Sequence, residues 1–132
     1  MTFRILVCDP IAEDGVQALQ RSGAEVDVRT GLSAEELLAA VDGYDALVVR
    51  SETKITKDII NATARLQVIG RAGVGVDNID VAAATEKGIV VVNAPTGNIT
   101  SAAEHTIALM FSLSRHIPEA NASLRAGRWE RS

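Results

Sequence analysis

Aromatic side chains are scarce: one Trp, one Tyr and two Phe in 132 residues. Rings therefore cannot fill a core, and Ala, Val, Ile and Leu must build it; apolar residues make up 47% of the chain. That is the composition of a soluble α/β protein, and the length suffices for one domain with a sizeable core. The single cysteine, Cys8, excludes an internal disulfide, and its place inside an apolar run marks it as a buried strand residue rather than a reactive thiol. No stretch approaches the 18 apolar residues of a membrane span, and the apolar run in "MTFRILVCDP" is too short for a signal peptide. A cytoplasmic protein without membrane contact is expected. The formal charge is −4 and no basic block occurs, so nothing points to nucleic acid.

What the chain does have is alternation. Five short β-branched apolar runs recur: "FRILVCD" (3–9), "AEVDVRT" (24–30), "DALVVRS" (45–51), "LQVIGR" (66–71) and "GIVVVNA" (88–94). Between them lie segments of helical spacing. "AEDGVQALQRSG" places Val16, Leu19 and Gln20 on one side and stops at Gly23. "LSAEELLAAVDG" opens with Ser33 as N-cap, has Glu36 three residues on, and ends at Gly43. "TKDIINATA" and "IDVAAATEKG" are shorter; Asp80 is placed to cap the second, and Gly88 sits where a helix commonly leaves through glycine. Strands alternating with such helices predict βαβ units, right-handed crossovers and a flavodoxin-like doubly wound parallel sheet of five strands in the order 2-1-3-4-5.

After Pro95 the pattern changes. One long helix is expected from about Thr100, capped by Thr100 or Ser101 with Glu104 in its first turn. Ile107, Ala108, Leu109, Met110, Phe111 and Leu113 place apolar residues on nearly every side, and a helix apolar all round is normally buried all round. Its covering partner is not among the five strands and their helices. The chain accordingly reads as a truncated one, ending in "LRAGRWERS".

The stretch "LQVIGRAGVGVDNID" (66–80) raises the question of a dinucleotide loop. That fingerprint needs a third glycine three residues after the second. Here Gly73 and Gly75 are followed by Asn78, no acidic residue ends a strand about 20 positions on, and no Gly-Lys-Ser/Thr follows. Two readings of the loop remain: a tight turn into a helix capped by Asp77 or Asp80, or a set of backbone N–H groups gathered around an anion. The neighbouring "VVRSETKIT" supplies Arg50, Ser51, Thr53 and Lys54, and Arg71 follows the fourth run. In the order 2-1-3-4-5 these strand ends are adjacent, so two arginines and a glycine loop meet at one edge, where guanidinium forks suit carboxylate or phosphate oxygens. The alternative is a solvated loop of charges.

"VVRSETKIT", "RAGVGVDNIDVAAATEKGIVVVNAP", "GNITSAAEHTIALM" and "LRAGRWERS" together resemble the D-isomer-specific 2-hydroxyacid dehydrogenases over essentially the whole chain. The resemblance implies two domains, one holding substrate and a Rossmann domain holding NAD inserted within it. Residues 1–98 would be the substrate-binding domain; 99–132 would be an interdomain helix and the start of the NAD-binding domain, the intramolecular partner this chain lacks. The backbone of Gly73, Val74 and Gly75 would hold the carboxylate of a small phosphorylated 2-hydroxy acid. Arg50 and Ser51 would help bind its phosphate, with Arg71 nearby, and Arg131 would reach a neighbouring subunit's site in a homo-oligomer. Asn93 would approach the cofactor. The family's catalytic arginine, glutamate and histidine, and its dinucleotide loop, are expected beyond the end of this chain, so no catalytic residue is assigned here. His105 and His116 sit in no matching motif. On one continuous helix they would lie about 16 Å apart, too far to share a metal ion, and no metal is expected.

A receiver-like binding module shares the fold but needs an aspartate after the third strand and a lysine after the fifth. Arg50-Ser51 and Asn93-Ala94 stand there instead. Nothing resembles an amino-acid-sensing module.

Overall fold

The computed structural model describes residues 2–129. They fall into two units, divided between Gly97 and Asn98. In the first unit the elements run β1 (Arg4–Val7), α1 (Glu13–Arg21), β2 (Glu25–Val28), α2 (Ala34–Ala40), a 3₁₀ turn (Val41–Gly43), β3 (Ala46–Val49), α3 (Lys57–Asn61), β4 (Val68–Arg71), α4 (Val81–Glu86) and β5 (Val90–Asn93).

All five strands are parallel and their order is β2-β1-β3-β4-β5, the expected one. Right-handed crossovers then send α1 to one face and α2, α3 and α4 to the other, because the chain steps one way to β2 and the opposite way ever after. Strand residues Leu6, Leu47, Val49 and Ile69, with Cys8 just past β1, bury against Leu37, Val41, Ile59, Ile60, Ala83 and Ala84 of the three-helix face. Val16 of α1 is buried outside that cluster. The side chains that alternate with Ile69 and Val91 have less cover: Val68 and Gly70 are half-buried and Val90 and Val92 exposed.

Local signals explain the element ends. Ser33 accepts from the Glu36 amide while the Glu36 carboxylate accepts from the Ser33 amide, the reciprocal pair expected from the sequence. Asp80 caps α4 by accepting from the Ala83 amide at 2.9 Å. Gly88 leaves that helix at φ 72°. Lys87 donates to the carbonyls of Ile60, Asn61 and Thr63, and so satisfies the end of α3.

The second unit holds α5 (Ile99–Ser114) and α6 (Ile117–Arg125). Two expectations need correction here. The cap position belongs to Asn98, whose side chain makes no capping bond; Thr100 and Ser101 lie inside the first turn, and the Ser101 hydroxyl donates back to the Asn98 carbonyl at 3.1 Å. Glu104 therefore falls outside the first turn. The long helix is present as α5, but it ends at Ser114 instead of running on. Pro118 has no N–H, and its ring would strike the Ser114 carbonyl in a continuous helix. The chain instead breaks through His116 at φ 50° and restarts with Pro118 in the first turn of α6. No residue of α5 is buried; its large apolar side chains are exposed, from 53% at Ile107 to 79% at Leu113.

Candidate functional site

Open parallel sheets bind ligands at the carboxyl ends of their strands, and the loops there are knitted together. The loop after β3 begins at Arg50 and the glycine loop after β4 begins at Ala72. Residues Ile55 and Ile79 pair as a short parallel bridge between them. Asn78 crosses the gap: its Nδ2 donates to the Arg50 carbonyl at 2.8 Å and the Thr53 carbonyl at 2.6 Å. On the far side, Asn93 Nδ2 donates to the Val74 carbonyl at 2.6 Å, which ties the end of β5 to the same loop.

The glycine loop leaves a row of donors. Among the described residues, the amides of Val74, Gly75, Val76, Asp77 and Asn78 have no intramolecular acceptor. The Gly73 amide differs from the expectation. It donates to the Arg71 carbonyl at 2.9 Å in the tight turn that takes the chain out of β4, so it is not one of the free donors. A Cβ at 73 would lie 2.7 Å from Arg71 Nη1, so a larger residue there would push that guanidinium aside.

The two arginines have different situations. Arg50 is exposed, with one guanidinium nitrogen 3.3 Å from the Pro10 carbonyl and the rest of the fork in solvent. Ser51, next to it, is also exposed. The side chain of Arg71 is only 12% exposed, and its Nε donates to Asn78 Oδ1 at 2.8 Å and to the Arg50 carbonyl at 3.2 Å. Arg71 thus braces the two loops, a use that charge alone does not reveal. Its approach to Asp77, at 3.9 Å, is long and involves an exposed carboxylate. An open depression of about 700 Å³ runs between the loops, lined by Ser51, Lys54, Lys57, Asp77 and Asn78 among others. Cations and carboxylates are mixed there, so any anion would be held by directed donors rather than by net field. A separate hollow of about 350 Å³, around Arg115, His116 and Glu119, contains none of these residues.

Sequence reasoning missed Asp9. It is 1% exposed at the end of β1, and its carboxylate accepts from the amides of Arg50 and Thr53 and from the Thr53 hydroxyl. The available signal was an acid directly after an apolar run, before Pro10, at the end of a strand adjacent to β3. Cys8, beneath it, has its thiol pushed up to about 12 by burial and by the Asp9 charge; it is no nucleophile. Arg131 lies outside the described residues.

The dinucleotide fingerprint does not fit this loop. The position of the third glycine is Asn78, already committed to Arg50 and Thr53, and the start of the following helix is occupied by the Asp80 carboxylate, where a pyrophosphate would need free N–H groups.

A doubly wound parallel sheet with free amides and an exposed arginine at its carboxyl edge defines an α/β domain that can hold a small acidic ligand. The chain belongs to the D-isomer specific 2-hydroxyacid dehydrogenase, catalytic domain family, whose model matches residues 5–127. It is 54% identical over 129 residues to the D-3-phosphoglycerate dehydrogenase of Archaeoglobus fulgidus and 57% identical over 128 residues to that of Methanocaldococcus jannaschii, covering 98% and 97% of this chain. It spans 24% of the length of each of those relatives. A solved NAD+-bound 3-phosphoglycerate dehydrogenase of Entamoeba histolytica superposes with a TM-score of 0.75 at 34% identity, over 85% of this chain and 39% of that one.

Proposed function

We propose that this chain is the substrate-holding part of an NAD-dependent D-3-phosphoglycerate dehydrogenase, which oxidises 3-phospho-D-glycerate to 3-phosphooxypyruvate on the route to serine. The observation that carries the reading is the row of free amides beginning at Val74, bonded through Asn78 and Arg71 to the loop that bears Arg50 and Ser51. A molecule with an anion at each end suits two such grips. The amides of Val74 and Gly75 take the carboxylate, and the Arg50 fork with the Ser51 hydroxyl takes the phosphate. Arg71 and Asn93 hold the glycine loop rather than the ligand. Names of the relatives support the choice of a phosphorylated acid over lactate. NAD is held by the rest of the whole protein, with Asn93 at the edge nearest to it, and the whole protein is a homo-oligomer in the cytoplasm, to which Arg131 contributes.

Titration of the ¹⁵N-labelled chain with 3-phosphoglycerate tests this directly. Shifts are expected at Arg50, Ser51 and the amides of residues 74–76, and Arg50→Ala should weaken binding by about 1.5–3 kcal/mol, as for a lost charge-assisted bond. Shifts confined to the second unit, or stronger binding of D-lactate than of 3-phosphoglycerate, would overturn the assignment.

A further inference from the structure

The backbone of the loop after β3 is gripped from two sides by the same pair of residues' polar groups. Asp9 accepts the N–H of Arg50 at 2.5 Å and of Thr53 at 3.1 Å. Asn78 donates to the C=O of Arg50 at 2.8 Å and of Thr53 at 2.6 Å. Every backbone polar group of those two residues is thereby engaged, and Ser51 and Glu52 are left as the exposed tip between them. Thr53 adds its hydroxyl to Asp9. Asp9 lies just beyond β1 and Asn78 in the glycine loop, so three strand ends are fastened through the loop that runs from Arg50 to Thr53.

A buried carboxylate beside a site for anions would be counterproductive as a ligand contact. Its charge repels the ligand, and its acceptors consume N–H groups. As an anchor it makes sense, because a carboxylate taking two amides and a hydroxyl holds backbone more firmly than a neutral acceptor could. Asn78 is then the cross-piece. Its Oδ1 takes Arg71 Nε at 2.8 Å and its own carbonyl takes the Ile55 amide at 2.8 Å, so the glycine loop is tied at one residue to Arg50, Thr53, Ile55 and Arg71.

We infer that Asp9 and Asn78 are positioning residues that set the distance between the two grips, and so select acids whose two anionic ends have that spacing. The inference rests on the proposed two-ended substrate. A ligand that must reach both grips gains from simultaneous engagement only when the spacing is held, whereas a single anion does not depend on it.

The test uses the labelled chain and three probes: 3-phosphoglycerate, inorganic phosphate and D-lactate. The variants are Asn78→Ala, and Thr53→Val with Thr53→Ser as its conservative partner; thermal melts and amide spectra report that each is folded. Asn78→Ala and Thr53→Val are expected to lose about tenfold in affinity for 3-phosphoglycerate while phosphate and lactate change by no more than about twofold. Thr53→Ser, which keeps the hydroxyl, is expected to restore wild-type discrimination. An equal loss for all three probes, or unchanged binding of 3-phosphoglycerate by both folded variants, overturns the positioning role and leaves the substrate reading standing. Failure of the wild-type chain to bind 3-phosphoglycerate overturns both.

Discussion

Two glycines show how differently the same residue type is required. At Gly73 the obstacle is a neighbour: the guanidinium of Arg71, itself held through Nε by Arg50 and Asn78, occupies the space a methyl group would take. Gly73→Ala is expected to displace that guanidinium and cost about 1 kcal/mol, the worth of a weakened hydrogen bond. At Gly88 the space is open but φ is 72°, so Gly88→Ala should cost about 1–2 kcal/mol through the backbone alone. Urea midpoints measure both, and only Gly73→Ala should also weaken binding of 3-phosphoglycerate. Cys8 carries a prediction at high pH. Burial first, and the Asp9 charge second, raise its thiol from 9.0 to about 12. The stability this reflects is complete below pH 9 and is lost as pH rises from 9 toward 12, because the unfolded thiol ionises first. Urea midpoints between pH 8 and pH 11 should therefore fall, and less steeply in Cys8→Ala. The native thiol should resist alkylation at pH 8 until the chain unfolds.

Among the elements, α2 depends on a cap and the foot of the sheet on an ion pair. Ser33→Ala removes half of the reciprocal bond with Glu36 and should cost about 1 kcal/mol. Asp45 sits at the start of β3, opposite the ligand edge; two Arg65 nitrogens at 2.8 and 3.0 Å, and then the Arg4 amide at 2.7 Å, hold its carboxyl below the ordinary 3.8. That stabilisation is present above pH 3.8 and is lost as pH falls through the lowered folded value, so Asp45→Asn should flatten the acid limb of a stability–pH curve. Elements of this kind were legible in advance wherever their signal is local. Ser33 with Glu36, Asp80 before α4 and Gly88 after it lie within a turn of what they control, and five apolar runs alternating with helices suggest a doubly wound sheet, whose order 2-1-3-4-5 is one of several that right-handed crossovers allow. Pro118 is as local a signal, and it marks the break between α5 and α6. The site was half legible. Arg50, Ser51 and the glycine loop follow from neighbouring strand ends. The anchoring by Asp9 spans 41 residues of sequence, and the commitment of Arg71 depends on burial, which residue type does not encode.

For the whole molecule, the exposed apolar face of α5 bears on association. Ile107, Met110, Phe111 and Leu113 lie without a charge between them, and a patch of that sort marks an interface. At about 25 cal/mol per Å², covering a few hundred Å² per chain contributes several kcal/mol. A symmetric dimer is the expected form: sedimentation should show mass rising with concentration, and Met110→Glu with Leu113→Lys should return it to monomer. The isolated chain should show no NAD-dependent turnover of 3-phosphoglycerate, since its described residues include no dinucleotide loop; measurable turnover by pure chain would contradict this. The strand order has a further consequence, for synthesis. β2 lies on one side of β1, and on the other each later strand joins the one before it: β3 lies beside β1, β4 beside β3, β5 beside β4. A chain leaving the ribosome from its N-terminus can thus lay each strand on the open margin of those before it, with no strand waiting for a later one to enter between its neighbours. Chains stalled with residue 71 just outside the exit tunnel are expected to protect the amides of β1 and β3 from hydrogen exchange already, as a growing sheet rather than a collapsed coil.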